Sequence, residues 1–513
     1  MGAAALVVSG SILLSRILGM GRDILLATLI GANIEGDLYR FAFTIPDFLN
    51  YLLAGAYLTI TLIPLLSRHL ERGDTEAASR TFTSVFRFVA YAVISLTIVM
   101  WVFAGPLVSL IFPEVADHDR LVSLTRLVLP AQVFLVLGSL LMAVQYTHRR
   151  FVFPALAPLI YNIGIITGGL IGAVISGPSP EAFLWGAVVG SAIGNFGLQW
   201  VGARRTGTWL RPIRREDSAV REYLVLALPL MVGQSIVALD EQFVRFFGQV
   251  EEAATSWLSF ARQLNMVPVG VIAQAAGVAA FPFLARLASR GDQQGLSRTT
   301  TRAARITVYV ACLAAAMMVA VAIPLVRLLF QYREFTETDT AIVAGLLGIY
   351  ALSIPAWGVQ QILARYFYAK RRMWLPVLIG TAFTAAAIPL WIWLRDLHGV
   401  RGMAMASVLA VTGYAVGLAI AWWRDTGDEW ARTLLRTVGR SLLAGAAAGL
   451  LGRELVGTVV GDGPVTIGDS LLGLFVGGVT VVGVYLTVTF AMRSPELKEI
   501  RRRGDDDLTA LPD

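Results

Sequence analysis

Charge and cysteine are both scarce in this 513-residue chain. Only 15% of residues are Asp, Glu, Lys or Arg, against about 25% in soluble domains, and 56% are hydrophobic. With a mean hydropathy of +0.68, a water-soluble enzyme of this length is excluded. A single cysteine, Cys312, excludes a disulfide framework and any cysteine-rich metal site. No phosphate-binding glycine loop or nucleotide domain is present, so the chain does not itself hydrolyse ATP. Asp117, His118 and Asp119 form the one compact cluster that resembles a metal site, and without a supporting domain they read as a solvated turn. The acidic run Asp505–Asp507 reads as part of a disordered tail. Neither a metal nor a cofactor is expected. Met1–Leu14 lacks the basic start of a cleavable signal, and Arg16 falls where an apolar core should continue, so a first membrane helix fits better.

What is abundant is spanning-length apolar sequence. Runs fall near 3–30, 37–66, 83–112, 122–147, 153–176, 182–202, 222–248, 256–285, 303–330, 340–368, 374–394, 400–423, 434–458 and 468–492. Fourteen crossings of about 20 residues take up roughly 280 residues, which matches the apolar fraction. Helices are the expected form, because a lone strand cannot satisfy its backbone in hydrocarbon. The fold class is therefore all-α and polytopic. Loop charge supports the count. Arg68, Arg72 and Arg80, then Arg149 and Arg150, Arg204 and Arg205, Arg286 and Arg290, and Lys370, Arg371 and Arg372 follow even-numbered runs. Glu114, Asp117 and Asp119, Glu251 and Glu252, and Glu334, Glu337 and Asp339 lie in the loops between. Basic loops stay cytoplasmic, so both termini are expected inside. With no soluble domain, those basic loops mark topology and do not form a nucleic-acid site.

The chain also contains itself twice. Shifting residues 64–87 by 218 overlays 282–305 with 11 identities in 24, among them Pro64 on Pro282, Arg68 on Arg286, Gly73 on Gly291, Asp74 on Asp292 and Arg87 on Arg305. A shift of 222 sets Tyr146, Arg149, Arg150 and Pro154 on Tyr368, Arg371, Arg372 and Pro376. Six runs precede the second copy, so both copies share one orientation, as in transporters whose substrate site lies between the halves. The expected division is a lobe at 1–215, a lobe at 216–430, an added helix pair at 431–493 and a cytoplasmic tail at 494–513.

Ionisable residues inside the apolar runs are the candidate site, because charge at membrane depth is costly and lines water or pairs with another charge. Run 1 carries Arg16, Arg22 and Asp23; run 2 carries Asp37, Arg40 and Asp47; run 7 carries Asp240, Glu241 and Arg245; runs 8 and 10 carry Arg262 and Arg365. In one reading these are helix caps and internal ion pairs, above all Asp37, Arg40 and Arg245 near run ends. In the other, helices 1, 2, 7 and 8 line a hydrated cavity whose arginines bind an anionic headgroup, since the guanidinium fork matches phosphate and keeps its proton. Arg16, Arg22 and Arg262 would bind the anion, and Asp23, Asp37 and Asp240 would orient them; Arg40, Glu241 and Arg365 are secondary candidates. Pro46, Gly55, Pro64, Pro268, Gly270, Gly277 and Pro282 interrupt runs 2 and 8, where kinks could act as hinges.

SRILGMGRD (Ser15–Asp23) followed by Asp37, RFVFPALAPLIYN (Arg150–Asn162), LFQYREFTETDT (Leu329–Thr340) and LARYFYAKRRMWLPV (Leu363–Val377) together resemble the MurJ (MviN) lipid II flippases of the MOP exporter superfamily. The likeness runs from about Ser15 to Trp423. It implies two six-helix lobes around a cationic cavity, with helices 13 and 14 forming a groove for an undecaprenyl tail. It implies lipid II as substrate, moved to the outer leaflet of the bacterial inner membrane by alternating access linked to membrane potential. By motif, Arg16, Arg22 and Asp37 carry over as functional residues, with Asp23 adjacent. The chain departs from the pattern at Asn50, Tyr51 and Gly55, where many members have two arginines and a glutamate, and at Arg262, one position early beside Gln263. A related polyprenyl-linked glycan or a cation-coupled antiporter of the superfamily remains an alternative, and a membrane-embedded glycan polymerase or ligase is the competing enzyme class. The expected partners are the polyprenyl-pyrophosphate substrate and membrane lipids, with the protein acting as a monomer.

Overall fold

A computed structural model describes residues 2–53, 55–210, 218–225, 239–460, 466–497 and 499; of these, the side chains of 2–9, 51, 52, 55–60, 239–241, 273–279 and 460 lie outside the description. All regular structure among the described residues is helical. Two compact units emerge: residues 1–256 with 332–335, and residues 257–331 with 336–513.

The first unit contains α1 (Gly2–Leu29), α2 (Ile34–Ala42), α3 (Thr44–Leu53), α4 (Gly55–Glu71), α5 (Thr75–Val102), α6 (Ala104–Ile111), α7 (His118–Val128), α8 (Pro130–Thr147), α9 (Val152–Ile175), α10 (Pro180–Gly190), a π-helical turn (Ser191–Gly197), α11 (Leu198–Arg204) and α12 (Leu239–Gly248). Run 2 is therefore not one rod. Pro46 lacks the N–H that would bond to the carbonyl of Ala42, and the chain breaks at Phe43 and restarts with proline in the first turn of α3. Helices α9 and α10 pack unusually closely: a Cβ at Gly164 would sit 2.6 Å from the Cα of Gly190 and 2.7 Å from the oxygen of Gly186. Glycine here lets two backbones touch, the usual device where lipid supplies no hydrophobic drive between helices.

Helix α13 (Ala254–Pro268) begins in the first unit and continues into the second. Pro268 cannot donate, and the helix passes through a π-helical stretch (Val269–Gln274) before α14 (Ala275–Ser289). Then follow α15 (Gln293–Ala320), α16 (Ala322–Phe330), α17 (Glu337–Ala351), α18 (Ile354–Ala369), α19 (Trp374–Thr426), α20 (Asp428–Val460) and α21 (Ile467–Ala491). The 53-residue α19 is continuous only in its hydrogen bonding, because Gly399 takes φ 56°, ψ −136° and divides it into the two expected crossings. Among the described residues, eight helices are long and apolar enough to cross a bilayer. Runs 1, 2, 6, 7 and 8 are not among them.

The internal repeat is visible at atomic detail. Helices α5 and α15 are both 28 residues long. Each follows a left-handed glycine, Gly73 at φ 75° or Gly291 at φ 72°. Each is capped by an aspartate accepting from a backbone N–H at 2.7 Å, Asp74 from Ala77 and Asp292 from Gly295. In each, a serine hydroxyl bonds back one turn, Ser79 to Thr75 and Ser297 to Gln293. Large apolar side chains are exposed on both units, with Val174, Ile175, Leu110 and Trp185 on the first and Trp374, Leu378, Phe475 and Phe490 on the second.

At the end of α21 the chain turns at Arg493, with φ 51°, and returns to the bundle. Glu496, 1% exposed, accepts from Arg305 of α15 through both Nε (2.9 Å) and Nη2 (2.7 Å), and from the Thr437 hydroxyl of α20 at 2.6 Å. Glu499 adds pairs with Arg302 and Arg305. One carboxylate thus ties α15, α20 and α21. Removing it leaves the buried guanidinium only the longer 3.7 Å pair with Glu499, so Glu496→Ala is expected to cost about 3 kcal/mol and Glu496→Gln less. Thermal unfolding of the detergent-solubilised variants checks both, and an unchanged midpoint for Glu496→Ala would refute the clamp.

Candidate functional site

The first unit gathers most of the charged candidates. Arg22 and Asp23, adjacent on α1, form an ion pair at 3.0 Å, with the arginine side chain 26% exposed and the aspartate 13%. The guanidinium also reaches the Asn162 side-chain oxygen at 3.5 Å, and Tyr39 and Tyr161 flank it. Asn162 sits on α9, which packs along α1, and its amide bonds back to the Pro158 carbonyl at 3.0 Å. An arginine held this way is charged, oriented and still partly open. It can exchange a neighbouring carboxylate for another anion without leaving a buried charge alone.

Asp37 has a different geometry. It is 3% exposed, and its carboxylate accepts from the backbone N–H of Ser256 at 2.7 Å. Ser256 lies in the first turn of α13, so an anion from α2 caps a second helix at its positive end. Arg40 braces the same corner, donating from Nη1 to the Gly36 carbonyl and to the Ser256 hydroxyl, both at 2.9 Å. Arg245 of α12 pairs with Asp47 of α3 at 2.7 Å. These three residues, the ones nearest run ends, are engaged with protein partners.

The other candidates are placed separately. Arg16 is exposed on α1. Asp240 and Glu241 lie on α12, with side chains outside the description. Arg262 on α13 and Arg365 on α18 are half-buried members of the second unit. Of the departures from the family pattern, Asn50 donates to the Gln132 side chain at 3.1 Å, while the side chains of Tyr51 and Gly55 lie outside the description. Asp117 is a helix cap, accepting from the N–H of Arg120 at 2.9 Å, and His118 contacts the Phe112 carbonyl. No group of three metal-ligating side chains occurs among the described residues.

Sequence reasoning did not single out Ser256 or the Asp47–Arg245 pairing, and it met Asn162 only as the end of a family motif, with no link to Arg22. Ser256 is 219 positions from Asp37, and nothing local to either announces the contact. The same is true of Arg120, which joins Glu35 at 2.8 Å and Glu181 at 3.1 Å, both in first helical turns.

Comparison with known proteins decides the family. Residues 26–458 match the family described as lipid II flippase MurJ. The chain belongs to that family. It is 27% identical over 388 residues to the lipid II flippase MurJ of Burkholderia cenocepacia, covering 74% of this chain and 75% of that one. Its fold is similar to that of a lipid II flippase MurJ solved in an inward closed conformation, with TM-score 0.77, 20% identity and coverage of 95% and 99% of the two chains. It is also similar, at TM-score 0.64 and 15% identity, to an inward-facing MATE family transporter of the MOP superfamily, covering 83% of this chain and 95% of that one. This MurJ-family chain is accordingly a multi-pass membrane protein of transporter lineage.

The Asp37 cap gives a direct test. Asp37→Ala is expected to lower stability by about 2 kcal/mol, since it strands buried N–H groups at the start of α13. Asp37→Asn, which keeps an acceptor oxygen, should recover roughly half of the loss. Unfolding midpoints of the two purified variants measure it, and equal midpoints for Asp37→Ala and the unaltered chain would remove the cap from the account.

Proposed function

We propose that this chain is a flippase that moves lipid II, an undecaprenyl-pyrophosphate-linked peptidoglycan precursor, across the bacterial inner membrane by alternating access. The observation that carries the reading is the Arg22–Asp23 pair: a charged, half-open guanidinium on a membrane helix, backed by Asn162. The physical problem is the headgroup. An ion the size of a carboxylate pays an idealised 20 kcal/mol or so on leaving water for hydrocarbon, and each 1.36 kcal/mol of barrier is a factor of ten in rate. A polar cleft that lends its own cations removes most of that barrier, while the polyprenyl tail never leaves the bilayer.

In this reading Arg22, Arg16 and Arg262 hold the diphosphate, and Asp23, Asp37 and Asp240 take the arginines back when it leaves. The six-helix lobes are residues 1–215 and 216–430, with 431–493 as the tail groove and both termini cytoplasmic. The groove draws support from the exposed apolar stripe of Leu435, Leu442, Leu443 and Leu450 on α20, opposite the faces packed on α15 and α21. The breaks at Phe43 and after Pro268 are the hinges. The cap of Asp37 on α13 is the contact that opening must release. A second reading, a different polyprenyl-linked glycan, is favoured by Asn50, which pairs with Gln132 where many relatives carry a cavity cation.

Replacement of a depleted lipid II flippase in living cells tests the assignment. The unaltered chain should restore growth. Arg22→Ala at normal expression should abolish rescue, and Arg22→Lys should retain part of it, because ammonium lacks the bidentate fork. Full rescue by Arg22→Ala would eliminate this site. Failure of the unaltered chain, together with a co-purifying polyprenyl glycan that is not lipid II, would select the second reading.

A further inference from the structure

Helix α18 carries a polar face at membrane depth that no ion pair explains. Trp357, Gln361, Arg365 and Tyr368 recur at spacings of four, four and three, which places them within about 80° of arc on a helix. All four are half exposed, whereas Ile362, Leu363, Tyr366 and Phe367 on the other sides are buried. The Nε of Arg365 is buried with no hydrogen-bond acceptor, and no carboxylate pairs with this guanidinium among the described residues. Its ionisable neighbour is Tyr368, less than a turn away. Beside them, the Oε1 of Gln360 is buried and unpartnered while its amide faces the hydroxyl of Tyr414, from the second half of α19. One face of α18 thus presents a guanidinium, a phenol and a side-chain amide, with the Gln360–Tyr414 pair on its flank.

The contrast with Arg245 and Arg305 is what makes this cluster informative. Arg245 and Arg305 each have a carboxylate within 2.7 Å. A guanidinium cannot give up its proton, so a half-exposed one whose buried Nε has no acceptor keeps donors in hand for an anionic ligand. The depth of the site indicates what that is. Arg365 precedes Lys370 by five residues, about 7 Å along the axis. Lys370 and Arg372 hold Asp425 where α18 and α19 end in the basic loop. On the loop-charge topology, in which basic loops are cytoplasmic, that is the level of phosphate groups in the cytoplasmic leaflet. A tetrahedral phosphate ester offers several oxygens to a guanidinium fork, and phenol and amide donors can complete its shell.

We propose that Arg365, with Gln361 and Tyr368, forms a phosphate-ester binding site near the end of α18 that adjoins the basic loop, which receives the diphosphate of the lipid-linked substrate before translocation. The choice of substrate rests on the function proposed above. An inner-leaflet phospholipid has the same chemistry, so the test separates the two sources.

The experiment uses the full-length chain in detergent and in nanodiscs, with undecaprenyl diphosphate and phosphatidylglycerol as probes and binding read by native mass spectrometry. Arg365→Ala should weaken undecaprenyl diphosphate binding at least tenfold, Arg365→Lys about threefold and Tyr368→Phe measurably, with phosphatidylglycerol adducts unchanged. Tyr368→Phe removes only a hydroxyl, so it reports on the site even if Arg365→Ala folds poorly. Loss of phosphatidylglycerol adducts with diphosphate binding intact would support the phosphate site and overturn its assignment to substrate. Unchanged binding of both probes in all three variants would overturn the site itself. If the unaltered chain binds no diphosphate at all, the functional reading fails, and the phosphatidylglycerol arm still decides whether Arg365 holds phosphate.

Discussion

A guanidinium in a membrane protein keeps its charge wherever it is placed, so each arginine at depth dictates what must stand beside it. Much of the architecture follows from that demand. Arg22 takes Asp23 and leans on Asn162; Arg40 turns to a backbone carbonyl and the Ser256 hydroxyl; Arg245 takes Asp47; Arg305 takes Glu496. Each pairing joins elements distant in sequence or fixes a side chain in one orientation. The pairs differ in what they leave over. Arg305 is fully used, and acts as a fastener. Arg22 retains exposure and a weak third partner, and so has capacity for a ligand.

The helices break for a more local reason. Runs that are only apolar form long, continuous helices, as in α5, α9, α15 and α21. The breaks fall where proline or glycine acts on its own turn: at Phe43 before Pro46, at Gly399 within α19, and in the π-helical stretch after Pro268. A broken helix exposes backbone groups that need partners, and it offers joints that a continuous helix lacks. Duplication preserved the helix starts, with the same capping aspartates and left-handed glycines before α5 and α15, whereas the Arg305–Glu496 fastener belongs to the second half. The scaffold repeats and the chemistry does not.

The all-helical class, the repeat and the crossing at Gly399 were legible in sequence because each is a local or periodic signal. The caps at Asp74 and Asp292 are carried by the same residues that gave the identities. Pro46 and Pro268 marked their breaks for the same reason: a missing N–H acts on its own turn. What was not legible is long-range. Asp37 looked like a substrate ligand as readily as a cap, and only its distance to Ser256 shows its present partner. The first unit extends to Ser256, past the boundary expected near 215, because α12 is bound into it through Arg245–Asp47 and through Gln249, which reaches Glu114 and Ile111. No pattern within run 7 announces those contacts.

The central claim is that the Arg16–Asp23 face of α1 is wet and accepts a diphosphate. Gly19 lies on that face with nothing within 4 Å of an added Cβ, and the chain's single cysteine, Cys312, is buried. A Gly19→Cys substitution in a Cys312→Ala background therefore places one thiol at the site. The account predicts that a charged, membrane-impermeant thiol reagent modifies it rapidly, and that undecaprenyl diphosphate slows the reaction. Modification only by a lipid-soluble reagent, at a rate indifferent to the diphosphate, would contradict it.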